Sequence, residues 1–385
     1  MAIDWKRTDV THVLSAVMVS QTNFAQTLGA LEGVEWAASN LEAAYYTDMR
    51  TGGKLRVHGD GYKRGSFIRI VHSVPEFSYS KTLGTYVVTD EAPQRVGGEW
   101  VRDLTLSSTL VMLANDLFTQ PVPIDKGTRA LDAMKSVLIK SGAHSMRSAF
   151  GNFSGADSTS RVAIDDSLAD DVKASKAQVL EAGKSRLEAF FALANMSQNR
   201  IDVTPDGYIR VSRYARPASR AASWSFDLED ARGTVLAGSL SRSSDWLSMP
   251  DTVAVQHDFT VETNGKTQQR TLYAIARNPT GPHSIATRGY SIVDFRQVPN
   301  ISPHTLQAAS DYAARALKSD VEQVEWELQT TYVPIWEGDV VNLVVHDGEA
   351  AYRGTRKCLV KNVDIQLGTM LMSLTLKETA SGDEK

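Results

Sequence analysis

Eight histidines are the first candidates for acid–base or metal chemistry: His12, His58, His72, His144, His257, His283, His304 and His346. No two stand at the i, i+4 spacing that puts two ligands on one helix face, and none falls in a zinc-type cluster. His58 and His72 sit where they can meet across strands, and all eight read as satisfied or solvated imidazoles. Gly59-Asp60-Gly61-Tyr62-Lys63-Arg64-Gly65 has the glycines and cations of a phosphate loop. Its spacing is wrong for the dinucleotide motif and no β-α-β unit surrounds it, so it reads as a turn with basic residues. Ser78-Tyr79-Ser80-Lys81 matches Ser-x-x-Lys, but the companion motifs of a β-lactam-type enzyme are missing. Asp165, Asp166, Asp170 and Asp171 offer carboxylate pairs. They lack the spacing of a calcium loop and suit the positive end of a helix. Arg210, Arg213, Arg216, Arg220 and Arg232 stand among Tyr208, Tyr214 and Trp224, a mixture able to touch nucleic acid. Nowhere do a nucleophile, a base and an orienting group come together.

Composition narrows the class. The 385 residues are 42% hydrophobic, enough for about two or three domains with real cores. A net charge of −4 argues against a generic nucleic-acid binder. Cys358 is the single cysteine, so no disulfide forms within one chain, which fits folding in a reducing compartment. Its place in mid-strand reads as a small core residue. Met1-Ala2-Ile3-Asp4-Trp5-Lys6-Arg7 is followed by no apolar run of signal-peptide type. No stretch approaches the roughly 20 apolar residues of a membrane span. The sequons at Asn152, Asn195 and Asn300 are then coincidental.

Residues 1–104 read as mostly β. Candidate strands are Thr11–Ser20, Lys54–His58, Ser66–His72 and Thr85–Thr89, punctuated by Gly52-Gly53, Gly59-Asp60-Gly61, Gly65 and Gly97-Gly98. The Leu28–Trp36 region has no clear pattern. Residues 105–142 turn helical. Leu110, Ala114 and Leu117 share one face after Ser107 or Ser108. A second helix begins near Asp125 or Thr128, carries Leu131, Met134 and Leu138, and stops at Gly142. Residues 143–163, rich in Ser, Gly and Ala, read as a mobile loop. A polar run then enters a helix striped by Leu180, Leu187, Phe190, Phe191 and Ala194. Ile201 to Val211 is a hairpin turning on Pro205-Asp206-Gly207.

The last eighty residues carry the clearest pattern. A capped helix is expected over 302–318, with Ser302 as cap and Pro303 in its first turn. Leu306, Ala309, Ala313 and Leu317 form its apolar stripe, and the alanines permit close approach to a sheet. In the next strand Val324, Trp326 and Leu328 share one face and Glu325, Glu327 and Gln329 the other. Pro334 marks a strand end, and Gly338-Asp339 turns into the strand Val340–His346. A strand to Ile365, a turn at Gly368 and Met370–Leu376 close the set.

In this order the parts resemble the tail hub proteins of tailed bacteriophages, a family that includes baseplate hub and minor tail proteins. The residues behind the resemblance are the Pro205-Asp206-Gly207 hairpin, Met249-Pro250-Asp251-Thr252-Val253-Ala254-Val255, the helix 302–318 and the step from Pro334 to Gly338-Asp339-Val340-Val341. The loop 143–163 and a polar insertion at 257–300 depart from the pattern. The fold class expected is α+β and β-rich. A first small antiparallel barrel (1–104) and a second (246–385) flank a mixed helical and hairpin domain (105–245). The resemblance implies a structural homotrimer without catalytic residues, metal or cofactor. Such a trimer sits at the tail tip of the virion, after synthesis in the host cytoplasm, and adapts sixfold tail rings to a threefold tip. Its implied partners are the distal tail protein ring, the tape measure protein in the lumen and a tail fibre or spike, with DNA only in transit. The basic stretch after Tyr208 then faces an acidic neighbour. Ring-building contacts are expected on edge strands, at Glu325, Glu327, Gln329, Asp339 and Val341. With the sequence ending just after the second barrel, no room is expected for an enzymatic module. The alternatives are a β-rich hydrolase, or a surface- or carbohydrate-binding module with Trp5, Trp36, Trp100 and Trp336 as platforms.

Overall fold

Alternation of apolar and polar residues dominates the chain and gives it a β-rich fold. The computed structural model describes residues 4–6, 10–20, 24–139, 162–164, 173–174, 177–196, 199–230, 233–244, 249–263, 266–280, 284–298, 301, 303–320, 324–346 and 353–379. The first part contributes β1 (Val13–Val19), β2 (Thr27–Ala30), β3 (Asn40–Ala44), β4 (Thr51–His58), β5 (Phe67–Val74), β6 (Tyr79–Val96) and β7 (Glu99–Ser107). The middle contributes helices α1 (Val111–Asn115), α2 (Ala130–Ile139) and α3 (Arg186–Met196). Its strands are β8 (Val122–Ile124), β9 (Val162–Ile164), β10 (Gln178–Leu180), β11 (Asn199–Val203) and β12 (Ile209–Arg213). Then come β13 (Trp224–Asp227), β14 (Ser241–Ser244), β15 (Thr252–Thr263), β16 (Lys266–Arg277), the short α4 (Ile285–Arg288) and β17 (Val293–Gln297). The chain finishes with α5 (Leu306–Asp320), β18 (Val324–Thr331), β19 (Val340–Val345), β20 (Gly354–Gln366) and β21 (Leu371–Glu378).

The two β-rich halves form one sheet. Among the described residues it has 13 strands, ordered β14-β18-β21-β20-β3-β4-β7-β6-β5-β1-β2, with β19 branching from β20 and β13 beside β19. β20 is the joint. Its first part pairs with β19, and Asn362–Gln366 pairs with β3. A register shift between Val360 and Asn362 lets one strand serve both neighbours, as a bulge does by turning the strand. Each half curls. The segment after β2 returns to β4, with Glu35 N donating to Arg56 O at 2.9 Å and His58 N to Gly33 O at 2.8 Å. The segment before β14 lies on β18, with Leu236 N donating to Gln329 O at 2.8 Å. What departs from the expected pair of separate barrels is the joint: the two curled halves share one ladder through β20 and β3. The inward faces also merge: Leu41, Leu55, Ile68 and Leu104 share one core with Trp326, Leu343, Val363 and Leu374.

A second core belongs to the middle of the chain, where Met134 of α2, Phe190 of α3 and Ile201, Ile209 and Val211 of the hairpin pack together. Leu180 lies in β10, not in the helix expected around it. Most of 143–163, the four paired aspartates, His144, His283 and Ser302 lie outside the described residues.

The segment expected as a polar insertion is a sheet. β15 pairs antiparallel with β16 over their whole length and parallel with β17. One face carries Val253, Val255 and Ala274 and is covered by Ala309, Ala313 and Leu317 of α5. The helix thus packs here rather than on the closing strands. It starts at Leu306, four residues later than expected, because Thr305 caps it: Ala308 N donates to Thr305 Oγ1 at 3.2 Å. Leu306 itself is exposed.

Asp251 anchors this unit. Its carboxylate accepts from Ser291 Oγ and Thr252 Oγ1, each at 2.9 Å, and from the Ile292 amide, with Arg288 Nη2 at 3.8 Å. Burial opposes the charge, but these hydrogen bonds outweigh it and hold the carboxyl below its usual range. Stability from a depressed carboxyl is present above its unfolded pKa and is lost as pH falls through the folded one. Asp251→Ala is expected to cost about 3 kcal/mol or more, since it strips the carboxylate from a buried guanidinium and an amide. In chemical denaturation the deficit should be full at neutral pH and shrink below about pH 4. An equal deficit at every pH would contradict the charge-based account.

Candidate functional site

The outward face of the joined sheet forms a trough of about 1120 Å³. Strand register builds it. Gln329, Ser373, Asp364, Glu42, Gly52 and Ser107 are successive partners across β18, β21, β20, β3, β4 and β7. A parallel row runs Ser241, Glu327, Thr375, Asn362 and Ala44. Period-two alternation puts Leu41, Leu328, Val363 and Leu374 beneath, in the core. The side chains that alternation turns outward are mostly polar, Met49, Leu328, Val363 and Leu374 also contribute to the lining, and no aromatic ring is among them. Its carboxylates are Glu42, Glu327 and Asp364, and its cations are Arg50 and Lys54.

Asp364 accepts from Asn40 Nδ2 at 3.1 Å and from Gln366 Nε2 at 2.8 Å. Glu42 is its direct partner across β3, a like-charge placement that weakens a sheet. Gly52 and Gly53 let β4 approach its neighbours: a Cβ on Gly52 would stand 2.9 Å from Leu106 O. Gly53 has φ +153°, and a Cβ there would collide with Asn40 O.

A charged cluster closes one end. Arg50, with φ +61°, reaches from the trough to within 5.5 Å of the Tyr45 ring centre. Arg200 lies 4.4 Å over the same ring and pairs with Asp202, which also binds Arg210 Nη2 at 3.2 Å. Glu337, 7% exposed, is pushed up to about 8 by burial, against the pull of Arg200 and Arg50. The Arg200 guanidinium sits where a side chain on Gly338 would project. The cluster therefore fastens the β11–β12 hairpin to the turn before β19. Part of the basic stretch after Tyr208 is thus spent inside the chain, at Arg210.

The five expected interface residues divide. Glu327 and Gln329 line the trough and are exposed. Glu325 is partly buried and takes a hydrogen bond from Lys361 Nζ at 2.5 Å. Asp339 Oδ2 accepts from Trp336 N at 2.8 Å and caps the turn. Val341 is fully buried in the chain. Neither strand is a free edge: β18 lies between β14 and β21, and β19 between β13 and β20.

The histidines do meet, in pairs that spacing did not reveal. His12 Nδ1 is 2.9 Å from His72 Nε2, beside Trp5, Tyr79 and Tyr332. Burial, then the neighbouring His12, pushes His72 down to about 4. His257 Nδ1 donates to Val298 O at 2.7 Å, and its Nε2 lies 3.0 Å from His304 Nδ1. His58 faces Glu35 and Glu99 instead of His72. Among the described residues no group of three His, Cys, Asp or Glu side chains converges as metal ligands.

No family model and no curated protein matches the sequence. Solved structures do. A tail protein from Neisseria meningitidis superposes with a TM-score of 0.62 at 12% identity, over 95% of this chain and 96% of that one. The 43 kDa tail protein of prophage MuSo2 from Shewanella oneidensis gives 0.59 at 10%, over 95% and 98%. Prophage tail protein gp18 from Listeria monocytogenes gives 0.53 at 10%, over 96% and 95%. The chain has the fold of a phage tail protein. In this tail-protein fold, the trough spans the joint between the first and last strands of the chain, so a local motif search cannot find it. Its sequence signals were the Glu325, Glu327 and Gln329 alternation and the Gly52-Gly53 pair.

Proposed function

We propose that the chain is a structural tail subunit, a trimeric hub at the distal end of a phage tail, with the trough lining its channel. The observation that carries this reading is the trough: rows of mostly polar outward side chains without an aromatic ring, continuous across six strands from both ends of the chain. Full-length likeness to tail proteins supports it. Three chains, each bringing two β-rich halves, give six wall segments and match a threefold tip to sixfold rings above. The distal tail ring, the tape measure protein and a fibre or spike are the partners of such a hub. The role is assembly and passage, not catalysis.

A wall that DNA must pass should not hold it. Three carboxylates, Glu42, Glu327 and Asp364, outnumber the two cations Arg50 and Lys54, so the lining does not concentrate positive charge for phosphate, and no ring is present on which bases could stack. Duplex DNA should bind no tighter than on the order of 10⁻⁴ to 10⁻⁶ M at physiological salt, without sequence preference. Fluorescence anisotropy with labelled duplexes measures this. Nanomolar affinity for a preferred sequence would overturn the channel reading.

A further inference from the structure

The β15–β16–β17 sheet is covered by α5 on one face, and register with period two assigns the other. That face carries Ala254, Gln256 and Asp258 of β15, opposite Ile275, Tyr273 and Thr271 of β16. On the far side of β15, Phe295 and Gln297 of β17 partner Ala254 and Gln256. Tyr273 (63% exposed) and Phe295 (55%) are therefore two solvent-facing rings on one surface. They stand two strand spacings and one same-face repeat apart, about 12 Å along the diagonal. Ile275 (58% exposed) lies beside Tyr273, and the small Ala254 leaves a depression between Ile275 and Phe295.

Groups that can donate and accept fill the space between the rings. Gln256 lies between Tyr273 and Gln297, so two amides and a phenol make one row across the sheet. Next along β15, Asp258 accepts from Gln256 Nε2 at 3.1 Å and from Thr271 Oγ1 at 2.6 Å, which fixes the orientation of the Gln256 amide. Among the described side chains of this face the charges are Asp258 and Arg277, one of each sign. A phosphate backbone or an anionic lipid calls for an excess of cations, which this face lacks. A sugar ring has an apolar C–H face that suits an aromatic ring and an edge of hydroxyls that both donate and accept. Side-chain amides and a carboxylate are the groups that match those hydroxyls.

We propose that this face binds a neutral oligosaccharide, with sugar rings stacked on Tyr273 and Phe295 and hydroxyls bonded to Gln256, Gln297 and Asp258. The two rings are too far apart for one sugar to touch both, so the ligand is a chain of sugars. The platforms differ from the tryptophans that composition suggested: Trp5 is buried, and Trp36 and Trp336 are partly buried. The site shares no residue with the trough and does not rest on the hub reading.

A glycan array probed with the purified full chain, followed by titration calorimetry with the best neutral ligand of three or more sugars, tests it. The expected Kd is about 1 mM or tighter, with the matching monosaccharide at least about tenfold weaker. Tyr273→Ala and Phe295→Ala should each weaken binding about tenfold, and Gln256→Ala by a similar factor. Trp100→Ala removes a ring that is 61% exposed on the β6–β7 hairpin and should change nothing. Circular dichroism checks that each variant is folded. An array with no neutral glycan bound, a preference for acidic glycans, a monosaccharide bound as tightly as its oligomer, or full affinity in Tyr273→Ala would each overturn the proposal. A blank array, with a particle protein retained by the unaltered chain and lost by Tyr273→Ala, would make the face a protein interface instead. The copy number in the assembled particle tests the hub reading separately.

Discussion

Trp326→Asp should abolish the folded state. Trp326 is 3% exposed in the core shared by both halves, and its Nε1 donates to Glu378 Oε1 at 2.7 Å. Removing the indole alone costs about 3–5 kcal/mol through lost packing. An unpaired carboxylate left in that space costs several more, so the sum approaches the ~5–15 kcal/mol that stabilises a typical fold. Trp326→Phe keeps most of the volume and should lose about 1–2 kcal/mol. Circular dichroism and thermal melting distinguish the two. A soluble Trp326→Asp protein with an unchanged cooperative melt would show that β18 is not packed as described.

Gly53→Ala is the second large effect expected. The residue sits where β4 meets β3, beside the joint between the halves. At φ +153° an alanine is strained, and its Cβ would collide with Asn40 O and stand 3.0 Å from Leu41 Cα. Both obstacles are backbone, so the strands must part. A loss of about 3 kcal/mol or more follows from strain and overpacking together. Gly97→Ala is the control: its φ is +59° and nothing lies within 4 Å of the new Cβ, so about 1 kcal/mol is expected. Equilibrium denaturation of both variants decides. A Gly53→Ala protein no less stable than the Gly97→Ala protein would contradict the close approach.

The local patterns that could be read were those in which every residue argues the same way. The alternation over Val324–Leu328 and the Pro205-Asp206-Gly207 turn needed no distant partner, and both stand as expected. β3 did need one. Asn40-Leu41-Glu42-Ala43-Ala44 is made largely of helix formers, and only pairing with β4 and with β20, 324 residues away in the Asn40–Asp364 contact, makes it a strand. That the two curled halves share one sheet follows from that single pairing. The trough was half legible, because Glu327 and Gln329 showed a polar face but not what it joins. The edge expected at Val341 is covered by β13, which is four residues long and comes from more than a hundred residues earlier, so local pattern does not show it. The histidine pairs join different elements, so no spacing announces them.

The most direct test of the account is an electron-microscopy reconstruction of this chain in its assembled particle. The account predicts three copies around the tail axis, with both β-rich halves in the ring wall and the row Gln329, Asp364 and Glu42 facing the channel. Two or six copies, a β-rich half far from the axis, or a trough turned outward would contradict it.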